Sequence, residues 1–374
     1  MALQSINVDA LERQLTELWK DAGANGDQAG VTRACVLNLL VYVPAGPAER
    51  EVDDLLIEVT AAHPSRAFLI SSDPASDASA ISAWVASRCS LVAPGSKQVC
   101  CEQVTVKASG TQVSELPSAI EPLILADLPV FLWWRAQPPF REKVFSRLIG
   151  MSDRLIIDSA SFADPRHDFE ELAKAFASTN GGHRWVATSD LNWGRLTSWQ
   201  GLIAGFYDVS HYRTYLSDVS SVRIEFNAGR AGFVPPRALL LAAWLSARLK
   251  WELVSGSTRQ GDWSFSFKDG GKPRSISLAA TQASGSQPAH LTSITFHLPD
   301  SSADACFAAR KTGDGGHLET TVSLAGEKKI GRLLSYESLP ESQLIGQELE
   351  RLGHDEIYEE AVARAAEMIQ ALPG

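Results

Sequence analysis

LPVFLWWRAQPPF, residues 128–140, is short, apolar and rich in β-formers, and it stops at Pro138-Pro139. Every position from Val130 to Trp134 is large and apolar, so neither face of such a strand is left for water. That pattern belongs in a sheet covered on both sides, the usual setting of parallel strands. Alternation puts Leu132 and Trp134 on one face and Phe131, Trp133 and Arg135 on the other. Helices covering both faces would bury both tryptophans. The strand body reads as core, and its Trp134-Arg135 end as part of a strand-end surface.

Working outward, the neighbouring segments repeat the pattern. TRACVLNLLVYV (32–43) is a long apolar run that ends at Pro44, and Ala48 to Ala62 follows as a helix with Val52, Leu55, Leu56 and Val59 in one stripe. His63-Pro64 stops that helix. SRAFLISS (65–72) is the next strand, and Asp77 to Ser87 reads as a short helix carrying Ile81, Trp84 and Val85. KQVCCEQVTVKAS (97–109) alternates more and reads as an edge strand. Gln112 to Ala126 reads as a helix interrupted by Pro117 and Pro122. DRLIIDS (153–159) is a strand, followed by a helix from Asp168 to Ser178, and residues 4–20 form a first helix with Leu11, Leu15 and Leu18 on one face. Strand–helix–strand alternation with short Pro/Gly/Ser joints predicts an α/β domain over residues 1–184, with a mostly parallel sheet covered by helices.

Beyond STNGGHRW (178–185) the pattern changes. SSVRIEFNA is followed by the helix PPRALLLAAWLSARL, with Pro236 in its first turn. WELVSGS, DWSFSFKDGGKPRSISLAA, HLTSITFHL and LETTVSLA then come in sequence. Trp263, Phe265 and Phe267 alternate with Ser264 and Ser266, and KDGGK predicts a hairpin. Residues 185–374 read as an α+β domain with a mainly antiparallel sheet and two C-terminal helices. In the last helix, Tyr358, Val362, Ala365, Ile369 and Leu372 form a narrow seam that predicts docking on its own domain.

Thirty-four Lys and Arg against forty-four Asp and Glu give the 374-residue chain a net charge of −10. With no Lys/Arg run, that argues against nucleic acid and anionic membranes as partners. The N-terminus lacks the basic region and apolar core of a signal peptide. No apolar run reaches the ~18 residues of a membrane span, and the expected location is cytoplasmic. The five cysteines, Cys35, Cys89, Cys100, Cys101 and Cys306, have no CxxC or Cys/His metal spacing, so reduced thiols are expected.

Catalytic signatures are missing. PAGPAER, after the first long strand, is neither GxGxxG nor GxxxxGK[ST], so no glycine cradle for a phosphate is read there. No serine sits in a GxSxG turn, and no histidine pair has metal spacing. No cofactor and no metal are expected. In an open α/β sheet the informative residues follow the strands. There Arg135 and Asp158 form a candidate polar cluster, and an ion pair or strand-end cap is the simpler account. Ten tryptophans are the positive signal, six of them between Trp133 and Trp244. In DLNWGRLTSWQGLIAGFYD (190–208), Leu196, Trp199, Ile203 and Phe206 read as the sheet-covering stripe of a helix. Trp193-Gly194-Arg195 resembles Trp133-Trp134-Arg135 in type, and aromatics beside arginine are enriched at protein–protein hot spots. Trp134, Arg135, Asp158, Trp193 and Arg195 are therefore the candidate partner or ligand surface.

TRACVLNLLVY, HPSRAFLI, LPVFLWWR, SDRLIIDS and DLNWGRLTSWQGLIAGFYD, in that order and spacing, resemble the glucose-6-phosphate dehydrogenase assembly protein family, OpcA, most strongly from Thr32 to Asp208. The resemblance implies a non-catalytic cytoplasmic protein that binds glucose-6-phosphate dehydrogenase, favours its active oligomer and raises its activity. It carries over no catalytic residues. Cyanobacterial members are tied to thioredoxin-linked redox control. Here the last cysteine is Cys306 and the C-terminal helices hold no thiol, which counts against that link. Two other readings stand beside this one. One is a sugar-phosphate-binding protein or enzyme using Arg135, Asp158 and Arg195 at the carboxyl edge of the sheet. The other is a redox adaptor working through Cys100 and Cys101.

Overall fold

A computed structural model of the chain describes residues 6–24, 32–33, 35–91, 98–180, 183–228, 233–259, 261–283, 290–299, 306–324, 327–336 and 338–373. In chain order it runs α1 (Val8–Ala24), β1 (Thr32–Arg33), β2 (Leu37–Pro44), α2 (Ala48–Ala62), β3 (Ser65–Asp73), β4 (Ala80–Leu91), β5 (Gln98–Ser109), α3 (Leu116–Ile120), β6 (Val130–Trp134), α4 (Lys143–Gly150), β7 (Arg154–Ile157) and α5 (Pro165–Ala177). Next come β8 (Thr179–Asn180), β9 (His183–Arg184), β10 (Ala187–Asp190), α6 (Leu191–Gly194), α7 (Thr197–Tyr207), α8 (Ser210–Arg213), β11 (Ser221–Ala228) and α9 (Pro236–Arg248). The chain ends with β12 (Glu252–Arg259), β13 (Asp262–Asp269), β14 (Lys272–Ala283), β15 (His290–His297), β16 (Cys306–Lys311), β17 (His317–Leu324), β18 (Glu327–Ser335), α10 (Glu341–Leu349) and α11 (Glu356–Gln370). Two compact units result, one of residues 1–158, 186–191 and 340–354, the other of residues 159–185, 192–339 and 355–374. The sequence places one boundary between residues 184 and 185; in the structure each unit draws on three segments.

The first unit is built on an eight-stranded sheet of order β1-β5-β3-β2-β6-β7-β10, with β4 added to β5. All pairs along that path are parallel, and only β4 runs antiparallel. Val130 to Trp134 is buried throughout, as its composition demands. Asn38 is the polar exception inside β2. It is fully buried, and its side chain is satisfied by Leu125 N–H and by the carbonyls of Leu125 and Leu128. Helix α2 buries Val52, Leu56 and Val59. His63 ends it by donating its amide to the Val59 carbonyl at 2.8 Å, a helix-end role as read. Helix α10 lies against α2 so closely that a Cβ on Gly346 would stand 2.8 Å from His63 Nε2, so a larger residue there would have to displace the His63 ring.

Several local expectations are corrected. Residues 77–87 do not form a helix: Ala80–Leu91 is a strand paired residue by residue with β5. Ile81, Trp84 and Val85 share a face only at the helical period; twelve residues of ladder override it, and on the strand Trp84 lies opposite Ile81 and is 44% exposed. Strand β5 is consequently internal, between β3 and β4, and the edge is β4. The segment 112–126 is two 3₁₀ turns flanking the five-residue α3, as its two prolines dictate. Strand β2 begins only at Leu37, and Thr32–Arg33 instead pairs with β5 as the separate strand β1. Helix α1 runs from Val8 to Ala24, four residues beyond the expected end at residue 20. Cys89 and Cys100 face each other across β4 and β5 and form a disulfide, where reduced thiols were expected. The register, not the sequence spacing, brings them together. Cys35, Cys101 and Cys306 lie outside that bridge.

The second unit carries an eight-stranded sheet of order β12-β13-β14-β11-β15-β16-β17-β18, antiparallel except for β11 with β14. Trp263, Phe265 and Phe267 all point inward. The KDGGK turn joins β13 to β14 through Gly270 and Gly271, at φ of 53° and 84°. Positive φ at both central residues is what a two-residue turn matching strand twist requires. Helix α9 is buried on nearly every side. Asp355 caps α11 by accepting from Tyr358 N–H at 2.9 Å. The seam from Tyr358 to Leu372 is buried against α9 and α5 of the same unit, as expected.

Candidate functional site

In the parallel sheet the strand order reverses between β2 and β6. That is the topological switch point, where ligands of open α/β sheets sit beyond the carboxyl ends. Four features of this chain meet there. Tyr42, near the end of β2, stacks on Trp134 of β6 with ring centroids 3.6 Å apart and planes within 6°. Its hydroxyl shares a 2.5 Å hydrogen bond with Ser72 Oγ at the end of β3. Burial holds the Tyr42 phenol above its ordinary pKa, against the Ser72 bond and with help from Glu142.

The second feature is Glu49, in the first turn of α2. Its Oε1 accepts from Gly46 N–H at 3.1 Å and from Ser71 Oγ at 2.8 Å, while Oε2 pairs with Lys107. In a dinucleotide fold, the amides at this helix start meet a phosphate. Here a carboxylate of the chain itself occupies one of them. Burial alone would raise the Glu49 pKa, but Lys107, Ser71 and Gly46 together hold it below the ordinary range. A depressed carboxylate stabilises the fold above its unfolded pKa, and that contribution is lost as pH falls through the folded value. Glu49→Gln should therefore flatten the acid limb of stability against pH, relative to wild type, in urea unfolding between about pH 3 and 5. Identical acid limbs would contradict the assignment.

Arg135, just past β6, is the third. Its guanidinium bonds Glu341 of α10 at 3.1 and 3.2 Å and Glu51 of α2 at 3.3 and 3.4 Å, and lies 5.9 Å from the Trp133 ring centroid. Burial pulls its pKa down, and the two carboxylates more than reverse that. Lys107 is the fourth: besides Glu49, it lies 5.7 Å from the centroid of Trp84.

The five residues singled out in the sequence fall in both units. Trp134, Arg135 and Asp158 belong to the parallel-sheet unit, Trp193 and Arg195 to the other. Trp134 does not form surface: it is 2% exposed, and Nε1 donates to the Gln137 carbonyl. Asp158 is half-buried after β7, but Arg135 pairs with Glu341 and Glu51, so the expected Arg135–Asp158 pair is not the one formed. Trp193 is likewise buried, donating to Asp355 Oδ2 at 3.2 Å beside Tyr358. Arg195 is half-buried, and with burial, Arg237 and Lys311 it lowers the His290 pKa. The sequence missed Tyr42, Glu49, Lys107 and Glu341. For Glu49 a signal existed, an acid three residues after Gly46 at a helix start. Glu341 lies 206 positions from Arg135, with no local mark. Among the described residues no cluster of three His, Cys, Asp or Glu could hold a metal, and no helix is long and apolar enough to cross a membrane.

The sheet order and the filled switch point define an α/β chain of the doubly wound class. Two domain families match it: the glucose-6-phosphate dehydrogenase subunit N-terminal domain over residues 57–174, and the corresponding C-terminal domain over residues 186–362. This chain belongs to the OpcA family of glucose-6-phosphate dehydrogenase assembly proteins. It is similar to the OxPP cycle protein OpcA of Nostoc punctiforme, 28% identical over 73% of this chain and 58% of that one. The protein of that name from Synechococcus elongatus is 31% identical over 49% of this chain and 39% of its own length. The chain thus spans less than two thirds of the curated relatives it matches. Among solved structures, a 3-ketoreductase from Actinomadura kijaniata in complex with NADP covers 90% of this chain and 96% of its own, at 12% identity and a TM-score of 0.49. An oxidoreductase from Sinorhizobium meliloti covers 90% and 89%, at 14% identity and a TM-score of 0.43. Neither likeness bears on the activity of this chain.

Proposed function

We propose that this chain is a non-catalytic, cytoplasmic assembly factor and allosteric activator of the oxidative pentose phosphate pathway. It binds glucose-6-phosphate dehydrogenase and favours its active oligomer, with no cofactor of its own. Family membership supports the partner. The observation that carries the non-catalytic part is Glu49 on Gly46 N–H, a carboxylate where a bound phosphate would need an open amide. An activator of this kind acts by binding the active oligomer better than the inactive form, and shifts the population by that difference alone. The sugar-phosphate alternative is less supported, because Arg135 is already flanked by Glu341 and Glu51, and an incoming phosphate would meet like charge. Titration of the chain into glucose-6-phosphate dehydrogenase of the same organism, following initial rate against substrate, tests the proposal. A saturable rise in rate is expected; an unchanged rate at every ratio would contradict it.

A further inference from the structure

Strand β4 is one edge of the parallel sheet, and among the described residues it pairs only with β5. Its first eight residues, Ala80 to Ser87, carry no charge and no proline. Native edges are ordinarily blunted by one or the other, because a bare edge is a template for another strand. Trp84, at its middle, is 44% exposed. On the same side, Ile57 of α2 is 43% exposed. A cavity of about 260 Å³ opens between α2 and β4, lined by Ile57, Thr60, Ser87, Arg88 and Cys89. That is below the roughly 300 Å³ at which small-molecule sites begin, and suits a single large side chain.

The floor of this surface is fixed. Arg88 Nη2 lies 2.6 Å from both oxygens of Asp53, Arg88 Nε donates to Gln103 Oε1 at 2.9 Å, and Gln103 Nε2 donates to Asp53 Oδ1 at 2.7 Å. The two nearby cations are therefore committed within the chain, Arg88 to Asp53 and Lys107 to Glu49. Asp54 and Glu58, which flank Ile57 on α2, are exposed and form no ion pair among the described residues. The uncompensated charge around the exposed apolar groups is negative, in a chain of net charge −10.

We propose that the β4 edge is a docking surface for an extended, basic segment of a protein partner. The segment adds a strand to β4 through main-chain hydrogen bonds. It places one large apolar side chain in the cavity beside Ile57, and its basic residues face Asp54 and Glu58. This is strand addition, in which the ladder supplies affinity and a pocket for alternate side chains supplies specificity. Exposed tryptophan is among the residue types enriched at binding hot spots. The identity of the partner, glucose-6-phosphate dehydrogenase, rests on the function proposed above; the surface does not.

The test uses the full chain and that dehydrogenase. Trp84→Lys and Ile57→Lys should each raise the Kd at least tenfold. The exposed pair Asp54→Lys with Glu58→Lys should weaken binding severalfold and remove its salt dependence. Leu333→Lys, at an exposed leucine of the other unit, should bind as wild type, and melting curves verify that each variant folds. Folded Trp84→Lys and Ile57→Lys variants with wild-type affinity would overturn the proposal. So would a wild-type homodimer that Trp84→Lys dissociates, since a second copy would then occupy the edge. If the wild type does not bind the dehydrogenase, the assembly-factor reading fails by itself. The surface is then tested with a ten-residue peptide of alternating lysine and leucine. Slowed amide exchange over residues 80–89 supports it, and unchanged exchange overturns it.

Discussion

Arg66→Ala is expected to destabilise the parallel-sheet unit by about 3–5 kcal/mol. Arg66, the second residue of β3, has 3% of its surface exposed, and its Nε bonds Glu102 Oε2 at 2.5 Å across the β3–β5 ladder. Its Nη1 donates to the Leu123 carbonyl at 2.6 Å and reaches Glu12 of α1 at 3.1 Å. Glu102 is 1% exposed. Removing the guanidinium breaks a buried pair from one side only, and deletes the donor to a buried carbonyl. The cost is that of breaking the pair one-sidedly, not the worth of the pair. The double variant Arg66→Met with Glu102→Leu should therefore recover most of the loss, because replacing both charges by apolar groups of similar size is often neutral or better. Urea unfolding of the three variants checks both statements. A loss under 1 kcal/mol for Arg66→Ala, or a double variant less stable than the single one, would contradict the account.

Trp134→Ala should cost about 3–5 kcal/mol, the usual range for truncating a large buried aromatic. Trp134 stacks on Tyr42 and meets Phe145 edge-on, with centroids 4.7 Å apart. It joins adjacent strands β2 and β6 at the switch point, where Tyr42 and Trp134 are register partners. Aromatic pairs contribute about 0.5–1.5 kcal/mol beyond area, so Trp134→Phe should lose distinctly less than Trp134→Ala. Equal losses would mean that the stack adds nothing beyond volume.

The parallel sheet was legible because its strands are apolar on both faces, and LPVFLWWR carries that mark in eight residues. Helix α2 was legible to the residue, and so were the KDGGK turn and the seam of α11, each fixed by local spacing or turn chemistry. What failed depends on partners distant in sequence. Strand β4 was taken as a helix because Ile81, Trp84 and Val85 fall at helical spacing, and only pairing with β5 overrides it. The Cys89–Cys100 bridge follows from that same register. At the candidate site, Arg135 was found but its partner was not. Asp158 stands near it through the β6–β7 ladder, yet Glu341 arrives from α10 and takes the guanidinium. Composition marked Trp134 and Trp193 as surface aromatics. Their indole N–H groups find acceptors within the fold, at Gln137 and Asp355, so both rings can be buried without an unmet donor.

The central claim, that this chain binds glucose-6-phosphate dehydrogenase and favours its active oligomer, is tested most directly by mass. Light scattering on the mixed proteins, against each alone at equal concentration, is the measurement. A stoichiometric complex containing the dehydrogenase in its higher oligomer, at concentrations where the dehydrogenase alone is smaller, is the predicted result. Masses equal to those of the separate proteins at every ratio, with both folded, would contradict it.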